Sequence, residues 1–337
     1  MSDRKSFPPA GSRQPLQHTN FQLPPLSDLV SLVRAPAALS VPGDILAGAT
    51  AAGRPLGPRT AGAMASSVCL YWAGMALNDY ADAAVDSVER PARPVPSGRV
   101  PRRTALAVAT SLTGAGLGLA AVSGGRRGLA VALPLTALIW AYDLKLKSTP
   151  AGPAAMAGAR ALDVLAGAVA GGGNPPWHAG GGGTAGALAR GAVPALLTGV
   201  HTYTITALSR HEISGAPSRL PATTLAVSSA TALSTVLPSV LPAVLPPRRS
   251  LPRAEVARTA VASAGVLAYL GTYGWAQARA VRDPGASSVR RAVGAGILAM
   301  VPLQAALTAR AGAPVAAALL GALHPVAQRL ARRVSPT

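Results

Sequence analysis

The sequence predicts an all-α protein, a polytopic transmembrane helical bundle of about nine spans, or ten if every apolar segment crosses. Three observations predict it. Half of the residues are hydrophobic and only 13% are charged, where a soluble domain carries about a quarter. The apolar residues gather into runs near the 20 or so needed to cross a bilayer, separated by short arginine-bearing connections. Small residues dominate those runs, as suits helices that pack in lipid by close backbone approach. The net charge of +19 raises the question of nucleic acid. The arginines, however, stand singly or in pairs between apolar runs, with no basic stripe interleaved with aromatics. They read as loop and interface charges that set topology and meet anionic lipid. The single cysteine, Cys69, lies in an apolar run and has no intrachain partner for a disulfide.

Residues 1–26 are polar, rich in Pro, Ser and Gln, and lack the apolar core of a cleavable signal peptide. They are expected to form a disordered cytoplasmic tail ahead of a single transmembrane domain over 27–333. The first span is expected over Leu29–Ala52. It contains Asp44, which either serves function, as intramembrane carboxylates tend to, or caps a helix break beside Gly43. The second span, Ala61–Leu77, delivers a polar motif to its end. The loop that follows carries Arg90, Arg93, Arg99, Arg102 and Arg103, a density that places it in the cytoplasm. Spans at Thr104–Ser123 and Gly128–Tyr142 are joined by a tight turn at Gly124, Gly125, Arg126 and Arg127. The fifth span, Pro153–Ala170, holds Arg160 and Asp163 three residues apart, as a self-neutralising pair or as part of a polar cavity. A glycine-rich extracytoplasmic loop follows, whose lone His178 is assigned no metal. A sixth span is expected at Ala192–Leu208. Four later segments, 221–245, 256–278, 289–309 and 313–330, complete the set.

The chemistry concentrates in Asn78–Val100, N-D-Y-A-D-A-A-V-D-S-V-E-R-P-A-R-P-V-P-S-G-R-V. Of twelve acidic residues in the chain, three fall here within eight positions. On a helix the steps from Asp79 to Asp82 to Asp86 place all three carboxylates on one face, with Asn78 beside them. Such a face repels itself unless divalent cations or the arginines downstream relieve it. Mg²⁺ favours a few carboxylates together with phosphate oxygens. Arg90 and Arg93 follow, with Pro91 and Pro94 turning the chain into an extended loop. Carboxylates that hold metal, with guanidiniums close by, suit a diphosphate.

The pattern N-D-x-x-D-x-x-x-D-x-x-x-R-P-x-R-P-x-P-S-G-x-V resembles the first aspartate-rich motif of the UbiA superfamily of intramembrane prenyltransferases. The resemblance implies a bundle around a central cavity that opens to lipid. It further implies Mg²⁺ held by Asn78, Asp79, Asp82 and Asp86, and a prenyl diphosphate bound by Arg90 and Arg93. The segment Tyr142–Lys147, Y-D-L-K-L-K, holds two of the chain's three lysines and resembles the family's tyrosine-to-lysine segment. On that match Lys147 binds diphosphate; the other reading is a positively charged membrane anchor. Where the family carries a second aspartate motif, this chain has Ser209, Arg210, His211 and Glu212. The S-R-H-E form resembles a divergent branch of the superfamily, with His201, Tyr203 and Thr206 expected to point into the same region. Asp163 and Glu212 are then the candidates for a second metal or for deprotonating the acceptor. The implied reaction moves an isoprenoid group from a prenyl diphosphate to an unidentified small-molecule or lipid acceptor, within membrane lipid and without nucleic acid. The rival is a non-catalytic transporter or lipid-binding scaffold, against which the lack of an internal repeat weighs.

Overall fold

The computed structural model describes residues 24–171, 183–244 and 252–334. The tail to residue 23, most of the glycine-rich loop with His178, and the segment 245–251 lie outside the described residues. The described residues are all-helical: α1 Leu26–Leu32, a 3₁₀ segment Ala35–Ser40, α2 Pro42–Ala51, α3 Pro58–Ala81, α4 Ala83–Glu89, α5 Arg102–Ala141, a π turn Tyr142–Leu146, α6 Gly152–Val169, α7 Gly183–Ser209, α8 Arg219–Val244, α9 Arg253–Tyr269, a second π turn Leu270–Gly274, α10 Trp275–Arg282, α11 Ala286–Arg310 and α12 Pro314–Val334. Among them, the stretches Pro58–Ala81, Arg102–Leu146, Arg219–Leu237 and Ala286–Arg310 are long and apolar enough to cross a membrane. Large apolar side chains also face outward, Val122, Leu196, Leu233, Leu267 and Leu319 among them, which suits a hydrocarbon surround.

The first expected span is broken rather than continuous. Arg34 takes a left-handed backbone (φ 47°) between α1 and the 3₁₀ segment. Pro36 and Pro42 follow at the starts of the next two elements, where a missing N–H costs nothing. In contrast, the third and fourth spans are one element on the chain folded back on itself. Gly125 has φ 58° and ψ −146° inside α5, a backbone open to glycine alone. Trp140 Nε1 donates to Thr113 Oγ1 at 3.2 Å. In a straight helix, residues so separated would stand roughly 40 Å apart, so the arms 102–124 and 126–141 form a hairpin.

Close approach of α2 and α6 sets the centre of the bundle. A Cβ on Gly48 would collide with the carbonyl of Val164, and one on Gly167 with the carbonyl of Ile45. Two glycines, one on each helix, therefore let the backbones touch, as small-residue packing in membranes requires. Elsewhere polar side chains join the helices. Buried His201 of α7 meets the Tyr269 hydroxyl at 3.0 Å and the Gly296 carbonyl at 3.2 Å, and Tyr273 donates to Thr204 at 3.0 Å. His201 thus bonds α7 to α9 and α11. Tyr203 is exposed, and the Thr206 hydroxyl donates to Thr202 O in its own helix at 2.9 Å. The sequence expectation that these three converge on the polar motif is corrected: helical spacing put His201 and Tyr203 two positions apart, and so on different faces of α7.

Candidate functional site

The site is built at the end of α3. Asn78 and Asp79 lie in its last turn, Asp82 at the junction with α4, and Asp86 within α4. The junction keeps helical bonding, with Asp82 N to Asn78 O at 2.9 Å and Asp86 N to Asp82 O at 2.8 Å. Asp79 and Asp86 therefore share a face, and Arg93 bridges them: its Nη1 lies 2.5 Å from Asp86 Oδ2 and 3.5 Å from Asp79 Oδ1. Pro91 ends α4, because the residue before a proline avoids helical backbone, and Arg90 turns away at φ −145°. The loop that brings Arg93 back is anchored from below. Val95 and Val100 are buried with Leu32, Leu77 and Ala105, which is what the valines of the P-V-P-S-G-R-V segment do.

Two further elements close around these carboxylates. From the break before the 3₁₀ segment, Arg34 Nη2 reaches Asp79 Oδ1 at 3.3 Å. From the π turn, Lys147 Nζ pairs with Asp82 Oδ1 at 2.5 Å. Asn78 Nδ2 donates to Asp143 Oδ1 at 3.2 Å, and Asp143 is buried. A π turn is a frequent mark of functional sites; here it swings Asp143 inward and sets Lys147 opposite Asp82. The sequence reading assigns neither Arg34, in the R-A-P opening of the first span, nor Asp143 to this site. The signal for Asp143 was its place in Y-D-L-K-L-K, where the lysines drew the attention; for Arg34 no local signal shows a left-handed turn.

The α7–α8 connection covers the same end. Arg210 Nη1 donates to Thr149 O at 2.7 Å, tying this connection to the turn after Lys147. Glu212 lies within electrostatic reach of Arg90 and Arg290, and Arg290 Nη2 donates to Glu212 O at 3.3 Å. Burial pushes the Glu212 carboxyl above the ordinary glutamate range, with Arg90 and Arg290 pulling the other way. A raised carboxyl pKa means the folded chain holds more protons than the unfolded one as pH climbs through that window, so stability falls there with rising pH. Glu212→Gln is therefore expected to flatten the decline in thermal stability as pH rises above the ordinary glutamate range, measured as the unfolding midpoint against pH in detergent. An unchanged profile would show that Glu212 makes no contribution to it.

Asp163 is elsewhere. Its carboxylate accepts from Ser67 Oγ at 2.5 and 2.6 Å, and Ser67 sits twelve residues before Asp79 on α3, roughly 18 Å away along the helix axis. Beside it lie Asp44, paired with Arg160 at 3.0 Å, and Gln304, which donates to Asp44 Oδ1 at 2.7 Å. This depth corrects the expectation that Asp163 supplies a second metal ligand beside the motif carboxylates, while Asp163 with Ser67 lines a cavity in the bundle. The structure gathers Asn78, Asp79, Asp82, Asp86, Arg93 and Lys147, brings Arg90 and Glu212 to the rim, and leaves Asp163 in the middle of the bundle.

The donor set fits Mg²⁺. Asn78, Asp79, Asp82, Asp86 and Asp143 offer hard oxygens, which Mg²⁺ prefers. No three His, Cys, Asp or Glu side chains converge on one point among the described residues; the carboxylates are instead turned onto Arg34, Arg93 and Lys147. That arrangement fits an ion that arrives with phosphate oxygens completing its shell, rather than a cage made wholly of protein.

Residues 41–288 match the UbiA prenyltransferase family, and the chain belongs to it. Among its relatives, the digeranylgeranylglyceryl phosphate synthase of Methanopyrus kandleri is 43% identical over 110 residues, 33% of this chain and 38% of that protein. The synthase of the same name from Methanoregula boonei is 42% identical over 118 residues, 34% of this chain and 40% of that protein. The alignments thus span about two fifths of the length of these relatives. The fold resembles the apo structure of a UbiA homolog from Aeropyrum pernix K1, with TM-score 0.59 and 18% identity over 84% of this chain and 98% of that one. It also resembles a UbiA homolog from Archaeoglobus fulgidus bound to DMAPP and Mg2+, with TM-score 0.53 and 14% identity over 81% of this chain and 99% of the other.

Proposed function

We propose that this chain is an Mg²⁺-dependent intramembrane prenyltransferase. It moves an isoprenoid group from a prenyl diphosphate to a small-molecule or lipid acceptor, with release of diphosphate. One observation carries the reading: the three carboxylates of the motif are each met by a side-chain cation from outside α3 and α4, Asp79 by Arg34, Asp79 and Asp86 by Arg93, and Asp82 by Lys147. Such a network holds both halves of a metal-diphosphate site in one place, anionic ligands for the metal and cations for the phosphate oxygens.

In this reading Asn78, Asp79, Asp82 and Asp86 hold the metal, and Arg90, Arg93 and Lys147 bind the diphosphate. Mg²⁺, when bound, neutralises charge that develops on the leaving diphosphate. Arg93 and Lys147 do the same from fixed positions, and their stabilisation grows as the allylic carbon–oxygen bond breaks. Arg34 and Asp143 belong to the same set: Arg34 shares Asp79, and Asp143 orients the Asn78 amide. The apolar helices below accept the isoprenoid tail. The density of arginines from Arg90 to Arg103 supports a cytoplasmic position for this end of the bundle in the cell membrane, with residues 27–333 proposed to act as one domain.

The test is binding of a non-hydrolysable prenyl thiodiphosphate to the protein in lipid nanodiscs, with and without Mg²⁺, followed by assay of diphosphate release from the hydrolysable donor. Binding that requires Mg²⁺, together with release on adding acceptor extracts, is the expected result. Binding without release under any acceptor would favour the non-catalytic lipid-binding scaffold, and no binding at any chain length would overturn the donor assignment.

A further inference from the structure

The connection between α7 and α8 carries charge that the proposed chemistry has not used. Every carboxylate gathered at the end of α3 comes from α3, α4, their junction or the π turn after α5: Asp79, Asp82, Asp86 and Asp143. The segment bonded to the turn just after Lys147 presents a guanidinium instead. Arg210 is exposed, anchored by its bond to Thr149 O at 2.7 Å, and lies within electrostatic reach of Tyr142 beside Asp82 and Asp143. A guanidinium has five N–H donors in a planar fork, and the Thr149 carbonyl engages one Nη of it. The single carboxylate on this wall, Glu212, is flanked by Arg90 and Arg290. A dication seated there would have one carboxylate ligand and two guanidiniums for neighbours, which Coulomb repulsion opposes at such range.

Resting on the prenyl-diphosphate reading above, we propose that this site works with one divalent cation, held on the α3 side, and that Arg210 supplies the positive charge on the opposite wall by binding the diphosphate directly. The anchor on Thr149 serves this role because it fixes the guanidinium against the turn that follows Lys147 before substrate arrives, so less side-chain freedom is lost on binding. Guanidinium forks match phosphate oxygens two at a time, so the wall needs no metal to hold that side of the ligand. The S-R-H-E segment is then a working replacement for carboxylates, not an eroded motif.

The experiment counts metal directly. Mn²⁺ bound per chain is measured by electron paramagnetic resonance for the full protein in nanodiscs, with saturating farnesyl thiodiphosphate, alongside the affinity for that analogue. Wild type is expected to hold one Mn²⁺ per chain. Arg210→Ala should still hold one and bind the analogue at least about tenfold more weakly, with Arg210→Lys recovering part of the loss. Two Mn²⁺ per chain in wild type would overturn the proposal without any variant being needed. Unchanged analogue affinity in a folded Arg210→Ala would overturn the role of Arg210. Failure of wild type to bind the analogue with Mn²⁺ would overturn the prenyl-diphosphate reading itself, a result distinct from either of the other two.

Discussion

Asp82→Asn is expected to lower prenyl transfer by about a thousand-fold while the protein still inserts and folds. The substitution keeps the shape of the side chain and removes its charge. Asp82 is the motif carboxylate least bound into the packing: its side chain is 25% exposed, against 2% for Asp79 and 4% for Asp86, and it pairs with a Lys147 that is itself 23% exposed. Losing that pair costs little stability, because a partly exposed ion pair is worth about 0–1 kcal/mol. On the proposed assignment the loss to catalysis is larger, since the residue proposed to hold the metal and the partner that pairs with Lys147 disappear together. Diphosphate release in nanodiscs measures the rate, and the thermal unfolding midpoint in detergent measures folding. Full activity in a folded Asp82→Asn protein would sink the metal assignment. A collapse of both measurements would instead show that Asp82 holds the π turn in place.

The contrast between Asp82 and Asp163 shows what the sequence could and could not convey. Asp79 and Asp86 were legible as one face because both lie on nearly continuous helix, where spacing determines direction, and Arg93 meets both. The reversal at Gly125 was legible because two glycines and two arginines interrupt an apolar run. Depth was not. Nothing in G-A-R-A-L-D-V-L-A-G says whether Asp163 stands near the membrane surface or in the middle of the bundle; its depth depends on where α6 starts and what it packs against, and Ser67 on α3 supplies that answer. The pairing of Arg34 with Asp79 was illegible for a related reason. Its reach to Asp79 depends on a left-handed residue between two short helices, and apolar patterning smooths such a break into one span. Both errors come from tertiary placement, on which periodicity is silent.

The buried set around Asp163 leads to the second large effect. Asp44 is fully buried, and its Oδ2 has Arg160 at 3.0 Å while its Oδ1 accepts from Gln304 at 2.7 Å. Gln304 also donates to Ser40 O at 2.7 Å, so this one side chain ties α11 to both the 3₁₀ segment and α2. Asp163 is held instead by Ser67 Oγ on α3, so the guanidinium's ion pair is with Asp44. Arg160→Met is expected to destabilise the protein by about 3–5 kcal/mol, the usual cost of removing one partner of a buried ion pair, seen as a fall of roughly 5–10 °C in the unfolding midpoint. Removing charge from both sides should undo much of this. In Arg160→Met with Asp44→Asn, the amide still meets Gln304 and no unpaired charge remains on α2, so the double variant should regain more than half of the loss, a coupling read directly from the double-mutant cycle. Asp163→Asn alone should move the midpoint least, because Ser67 still finds an oxygen acceptor and Arg160 still has Asp44. The reverse order, with Asp163→Asn the most damaging and Arg160→Met neutral, would mean that Arg160 does not neutralise the centre of the bundle and that Asp163 carries a duty beyond pairing.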